Sequence, residues 1–387
     1  MAITDNMPGM SENRKENHML ELRKKLSNYQ EVFYLLFLLP MTGMSSMGIN
    51  SDDRIYLYVF AVAMLFLLLK MAVTDFTWRE ILVMAVLTLL FGVNFLRNGE
   101  KTLILTVMAI FGAKNVNLDK VMKYALWEKA VLTVGTLTLA ATGVIENEIV
   151  SVPKNWKIVE LPCYGYYQPN MAFANIFVVL LLIILIYRDK LRWYSYIIGT
   201  GIMFVAYQIF MCRTGILMWI LLCLMIFGYA LFRYFHLEKE YLSLLLLLPV
   251  VLVGVTLILP PIAQNNFELA VWFNKIFTGR IDHINQVYGQ IWKLLLGHVP
   301  KEAFDNMYFT TLYNYGWILF TFSLVAYIIG MWYCIKKDQD YNVIGLGIMS
   351  VYGFMELLPL SILWNLPLLY LSQILFQGKK LRNEQLQ

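Results

Sequence analysis

The chain has 387 residues, of which 59% are hydrophobic and only 15% charged, where soluble domains carry about a quarter; its mean hydropathy is +0.60. A soluble globular protein is excluded, and little chain is left for a separate soluble domain, so the expected fold class is an all-α polytopic integral membrane protein. The net charge of +5 is carried largely by short loops on one side of that domain, and nucleic acid is not an expected partner.

Residues 1–30 are a polar tail holding Arg14, Lys15, Arg23, Lys24 and Lys25, too much polar sequence ahead of the first apolar run for a cleaved leader. Each membrane crossing needs about 20 mainly apolar residues. By that measure residues 31–376 form a single membrane domain of about twelve helices, starting near residues 31, 54, 80, 102, 123, 171, 194, 214, 241, 308, 342 and 361. The fourth and twelfth are short, and Pro359 and Pro367 interrupt the last two, so ten to twelve crossings fit. Lys and Arg gather in the short even-numbered connections, as in Arg188, Lys190 and Arg192 or Lys336 and Lys337. That bias places both termini, including the tail 377–387, on the cytoplasmic side. No internal repeat is visible.

Two outer connections stand out by length. The first, 146–170, ends in YGYYQPN, where Tyr166, Gln168 and Asn170 meet the sixth span. Tyr164, Tyr166 and Tyr167 suit an interfacial aromatic belt and equally a sugar-stacking surface with amides for its hydroxyls. Next, QIFMCRTGILMW sets Arg213 in a tight outer turn. Arg213 is either a snorkelling cation on lipid phosphate or a fixed fork for a phosphate or carboxylate, helped by the following helix N-terminus. The second long connection, 261–307, carries Arg280 in FTGRIDHINQ, which reads as a solvated loop cation or as a second phosphate ligand. After it HINQVYGQIWKLLL has helical apolar spacing and is expected to form an amphipathic helix that lies on the membrane and roofs a cavity.

GHVPKEAFDNMYF closes this loop. Asp305 and Asn306 suit a helix N-cap; Asp305 also suits a general base, a part His298 is able to share. Glu356, in YGFMELLPL, falls in the outer half of the eleventh span, where an ionisable group is expensive and usually functional, and Asn365 follows in ILWNLPLL. Lys129 is a cation inside a span with no assigned role. Cys163, Cys212, Cys223 and Cys334 lack metal-ligand spacing. With no P-loop, HExxH or GxSxG either, neither metal nor cofactor is called for.

GYYQPN before a span, RTG in a tight outer turn, TGR in a long outer loop, then GH and DNMYFTTLYNYG leading into the next span resemble the order in Wzy-type polysaccharide polymerases and the related O-antigen ligases. The resemblance covers roughly residues 160–370. It implies a metal-independent C-type glycosyltransferase of a bacterial plasma membrane, joining undecaprenyl-diphosphate-linked oligosaccharides into O-antigen, capsule or exopolysaccharide at the outer face. It further implies membrane lipid, a chain-length regulator and a flippase as partners. By it Arg213 and Arg280 hold the donor diphosphate and Asp305 takes the acceptor proton. Tyr166, Gln168, Asn170, His298, Asn306, Tyr308, Glu356 and Asn365 would then contact substrate. Ligases generally carry a histidine where Asp305 stands, which favours polymerase over ligase. The rival class is a lipid-linked oligosaccharide flippase, which calls for deep central cations and related halves; a non-catalytic sensory or scaffold protein is the third.

Overall fold

The computed structural model describes residues 21, 23, 25–154, 157–266, 268–272, 280–299 and 302–376; most of the N-terminal tail and the expected C-terminal tail 377–387 lie outside the described residues. The described residues are 78% helical. Its elements are α1 (Gln30–Ser46), α2 (Arg54–Val73), α3 (Trp78–Asn98), α4 (Thr102–Gly112), α5 (Leu118–Ala141), β1 (Ile149–Lys154), β2 (Lys157–Pro162), α6 (Pro169–Tyr187), α7 (Trp193–Phe210), α8 (Arg213–Tyr234), α9 (Glu238–Leu245), α10 (Leu247–Asn265), α11 (Arg280–Val287), α12 (Met307–Lys336), α13 (Asp340–Met355) and α14 (Leu371–Phe376).

Helices begin near every expected start except the last. Pro359 and Pro367 instead open the 3-10 turns Leu358–Leu360 and Leu366–Tyr370, because proline lacks the N–H that a continuing helix needs. Among the described residues, six helical stretches are long and apolar enough to cross a membrane: α2, α3, α6, α8, α9 with α10, and α12. The 17 residues of α1, 16 of α13 and 11 of α4 fall short of that length, and α5 carries Asp119, Lys120, Lys123, Glu128 and Lys129. The outer faces of α2 and α3 expose rows of apolar side chains such as Leu65, Leu68, Leu82, Leu89 and Leu96. Such a surface is stable only against lipid.

The centre of the bundle is α13, buried almost without interruption from Asn342 to Gly353 and packed against α6, α8, α9, α10 and α12. A helix apolar all round belongs in an interior. The end holding the short turns is closed by ion pairs: Lys114 with Glu80 at 2.6 Å, and Lys239 with Asp338 at 2.6 Å and Asp340 at 3.2 Å. Glu80 also completes a capping box with Thr77 at the start of α3.

At the opposite end, the first long connection forms an antiparallel hairpin, Ile149 opposite Pro162 through Lys154 opposite Lys157; among the described residues it holds the only β-strands. The second carries α11 followed by a 3-10 stretch, Tyr288–Lys293, so the helix expected over 283–296 is α-helical only to Val287 and ends before Leu294. Ile281, Ile284 and Ile291 face inward, and Trp292 stacks on Trp317 at 5.5 Å between centroids. This roof packs on the first turns of α12 through Phe304, Phe309 and Tyr313.

α12 breaks at Gly316, where φ is 78° and ψ 173°. A broken helix frees backbone groups that lipid cannot satisfy, and the segment 294–298 takes them up. The N–H groups of Trp317 and Ile318 donate to Leu294 O at 3.0 Å and Leu295 O at 3.4 Å, while His298 N–H donates to Tyr313 O at 2.7 Å. From α3, Asn94 and Asn98 donate to Asn314 O at 3.1 and 2.8 Å. The backbones approach so closely that only glycine fits at both Gly297 and Gly316: a Cβ at the first would strike Asn314 O, and at the second Gly297 N and Leu295 O.

Candidate functional site

Three chain segments converge on Arg280 at this end of the bundle. Arg280 is the first described residue of α11, Asp305 precedes the N-cap of α12, and Glu356 is the C-cap just beyond α13. Arg280 Nε meets Asp305 Oδ2 at 3.0 Å and its Nη2 meets Glu356 Oε1 at 3.2 Å. The side chains are 17%, 61% and 12% exposed in the order Arg280, Asp305, Glu356, so the cluster has a buried floor and one open carboxylate. Thr256, Leu259 and Pro260 of α10 and Phe354 of α13 complete a small pocket of about 30 Å³ around it.

Asn306 holds this geometry. Its Oδ1 accepts from Phe309 N–H at 2.9 Å and caps α12, while its Nδ2 donates to Thr256 Oγ1 at 3.2 Å and Phe354 O at 3.1 Å. One side chain thus ties α10, α12 and α13 together and fixes where Asp305 stands.

Glu356 lies past the helix end, and burial pushes its carboxyl up to about 7, against the pull of Arg280; the nearby Asp305 pushes the same way. Arg280 and two ionised carboxylates would carry a net negative charge, so a Glu356 that protonates near neutrality is consistent with the arrangement. Tyr167, 41% exposed, lies within electrostatic reach of the cluster: desolvation and the charges of Glu356 and Asp305 hold its hydroxyl above the usual tyrosine range. A carboxylate titrating near neutral pH, oriented by a guanidinium and flanked by an open acid and a phenol, is suited to general acid–base work.

Arg213 is the first residue of α8 and exposed, and the turn from α7 is as tight as the sequence predicts, with Met211 at φ 48°. Gly215 seats against the Phe173 ring. Tyr352, buried in α13, is within electrostatic reach of Glu356 and Arg280 and of Cys212, the residue before Arg213. The fork of Arg280 is engaged by carboxylates.

The other predicted contacts are placed differently. Tyr166 is buried, its hydroxyl donating to Ser46 O at 2.7 Å. Tyr308 is buried at 2.6 Å between its hydroxyl and Ser350 Oγ, and Asn365 is buried, donating to Pro359 O at 3.2 Å. His298 lies on the Tyr313 ring at 4.6 Å, beside the glycine crossing. Gln168 is exposed and Asn170 half-buried at the start of α6, near Tyr167 in sequence.

One further polar cluster lies deeper. Lys129 is fully buried, donating to Ser45 Oγ at 3.1 Å and Ser46 Oγ at 3.2 Å, with its Nζ 5.1 Å from the Trp364 ring centroid. It serves the last turn of α1, where a cation is favoured by the helix dipole, and that turn in turn accepts Tyr166. Through it the segment carrying Tyr167 is anchored.

Comparison of the chain with protein families, with curated proteins and with solved structures finds no match.

Proposed function

We propose that this protein is a membrane glycosyltransferase that joins undecaprenyl-diphosphate-linked oligosaccharide units into a surface polysaccharide. The observation that carries the reading is the Arg280–Asp305–Glu356 cluster, with Tyr167 within its electrostatic reach, beneath a fixed amphipathic roof at one end of an apolar bundle. On this reading the roofed end faces outward, both termini face the cytoplasm, and the chain crosses twelve times, α4 and the 357–376 segment forming the two shortest passages.

In the reaction a hydroxyl of the acceptor sugar attacks the anomeric carbon of the donor. The bond from that carbon to the diphosphate oxygen breaks, and the carboxylate of Glu356 or Asp305 takes the hydroxyl proton. Negative charge builds on the leaving diphosphate. On this reading Arg213 and the N–H groups opening α8 receive it. Arg280 keeps Glu356 oriented and is able to exchange a carboxylate for phosphate when the acid is protonated.

A second reading follows from the same carboxyl: an acid with a pKa of about 7 paired with an arginine also suits a proton-coupled carrier of lipid-linked sugar. One experiment separates them. Purified protein in nanodiscs is given an undecaprenyl-diphosphate-linked repeat unit, and product length is followed on a gel for wild type, Arg213→Ala and Glu356→Gln. A ladder from wild type, reduced at least a hundredfold in both variants, is expected. No ladder, with sugar crossing a vesicle bilayer instead, would discard the enzyme and favour the carrier.

A further inference from the structure

Away from the charged cluster, a cleft of about 400 Å³ runs between α3, α4, α12 and the 358–376 segment. Its deep wall is Phe91, Leu103, Val107 and Phe111, all buried, and its rim is Val83, Phe322, Val325 and Ile329, all exposed. The rim opens sideways, between α3 and α12.

Four of the polar side chains on its wall, Thr106, Tyr308, Thr311 and Tyr327, turn their hydrogen bonds inward. Thr106 donates to Thr102 O at 2.9 Å and accepts from Ile362 N–H at 3.1 Å. Thr311 donates to Met307 O at 2.6 Å and Tyr327 to Leu346 O at 2.6 Å, while Tyr308 is engaged by Ser350. These groups leave little for water or a sugar to bind. Packed interiors leave few voids larger than a water, so a space of this size and chemistry calls for hydrocarbon.

The position of its two ends chooses among hydrocarbons. One end is formed by Met307, next to the Asn306 cap, and by Pro359, three residues past Glu356; Met307 packs on Gly353, within a turn of Glu356. The other end is formed by Ile374 and Leu375, next to the Phe376 ring that packs on Phe76. A chain lying here would leave its head beside the triad and run most of the depth of the bundle. A bulk phospholipid has no reason to bring its head to that cluster; a lipid diphosphate acted on there must.

We infer that this cleft binds the polyprenyl chain of the lipid-linked substrate, admitted sideways between α3 and α12. The inference rests on the proposed function for the identity of the head group. Its test does not require turnover. Wild-type protein in nanodiscs is photolysed with undecaprenyl diphosphate bearing a diazirine on its chain and no sugar, and adducts are mapped by mass spectrometry.

Adducts confined to α3, α12 and residues 359–375, competed by unlabelled undecaprenyl diphosphate and reduced at least tenfold by Val107→Trp, are the expected result. Adducts spread over α2 and α7, or equal labelling of the cleft by a diazirine phosphatidylcholine without competition by undecaprenyl diphosphate, would overturn it whether or not Val107→Trp folds. Confined, competed labelling without a polymer ladder leaves the cleft standing and removes the polymerase. A ladder with labelling elsewhere removes the cleft alone.

Discussion

The pairing of Arg280 with its two carboxylates makes a quantitative claim. With both partners largely buried and 3.2 Å apart, the gross Arg280–Glu356 attraction at an effective dielectric near 20 is about 5 kcal/mol, from which desolvation subtracts. Asp305 is 61% exposed, and screening by water leaves its half at about 1 kcal/mol or less. Double-mutant cycles with Arg280→Gln, Glu356→Gln and Asp305→Asn, read by chemical unfolding in mixed micelles, should therefore give a coupling of about 2–4 kcal/mol for the first pair and under about 1 kcal/mol for the second.

The first coupling also has a pH signature. Folding raises the Glu356 carboxyl to about 7 from an ordinary value near 4.5, so the folded state holds that proton more tightly than the unfolded chain. Its contribution is fully present below about 4.5 and is lost as pH rises to about 7, a change of about 3 kcal/mol that Glu356→Gln should abolish. Because Arg280 attracts only the ionised acid, its coupling to Glu356 should be small at about pH 5.5 and grow to its full size by about pH 9. A coupling that stays flat across that range, or a larger one to Asp305, would refute the assignment of Glu356 as the buried titrating partner.

Two other perturbations give sharp contrasts. Gly297→Ala and Gly316→Ala each drive a Cβ into backbone at a positive φ and should cost about 3 kcal/mol or more or prevent folding, whereas Gly254→Ala, with open space around its Cα, should stabilise α10 by about 0.5–1 kcal/mol; thermal unfolding of the three would show it. For Lys129, whose cation is buried among hydroxyls and an indole, replacement by the similarly sized Met should change stability by about 1 kcal/mol or less. Lys129→Glu should cost about 3–5 kcal/mol, and equal losses in both would count against a tolerated apolar substitute.

Helix positions were legible because apolar runs of membrane length are hard to mistake, and so were the three charged residues one by one. Arg280 is flanked by glycine, Asp305 stands at a helix start, and Glu356 sits where a carboxyl is costly. Their meeting was not legible: the contacts join residues 25 and 76 positions apart, and no local pattern encodes that distance. Asn306, Tyr308 and Asn365 share residue types with substrate contacts, yet each is engaged in packing or capping. Tyr167 reads from the sequence as part of an aromatic belt or a sugar-stacking surface, and only the fold brings it within electrostatic reach of the carboxylates. The hairpin was hidden by Pro153, which argues against a strand, and Lys129 by partners more than 80 positions away.

The glycine crossing decides how this protein is able to move. The roof is fastened downstream by the backbone bonds across Gly297 and Gly316 and upstream by Tyr288, whose hydroxyl donates to Leu257 O at 2.6 Å. It behaves as a lintel built into the frame, with no hinge between its fixings. If the proposed function holds, traffic beneath such a lintel passes through a standing doorway, and a lengthening glycan would pass out beside the open carboxylate of Asp305.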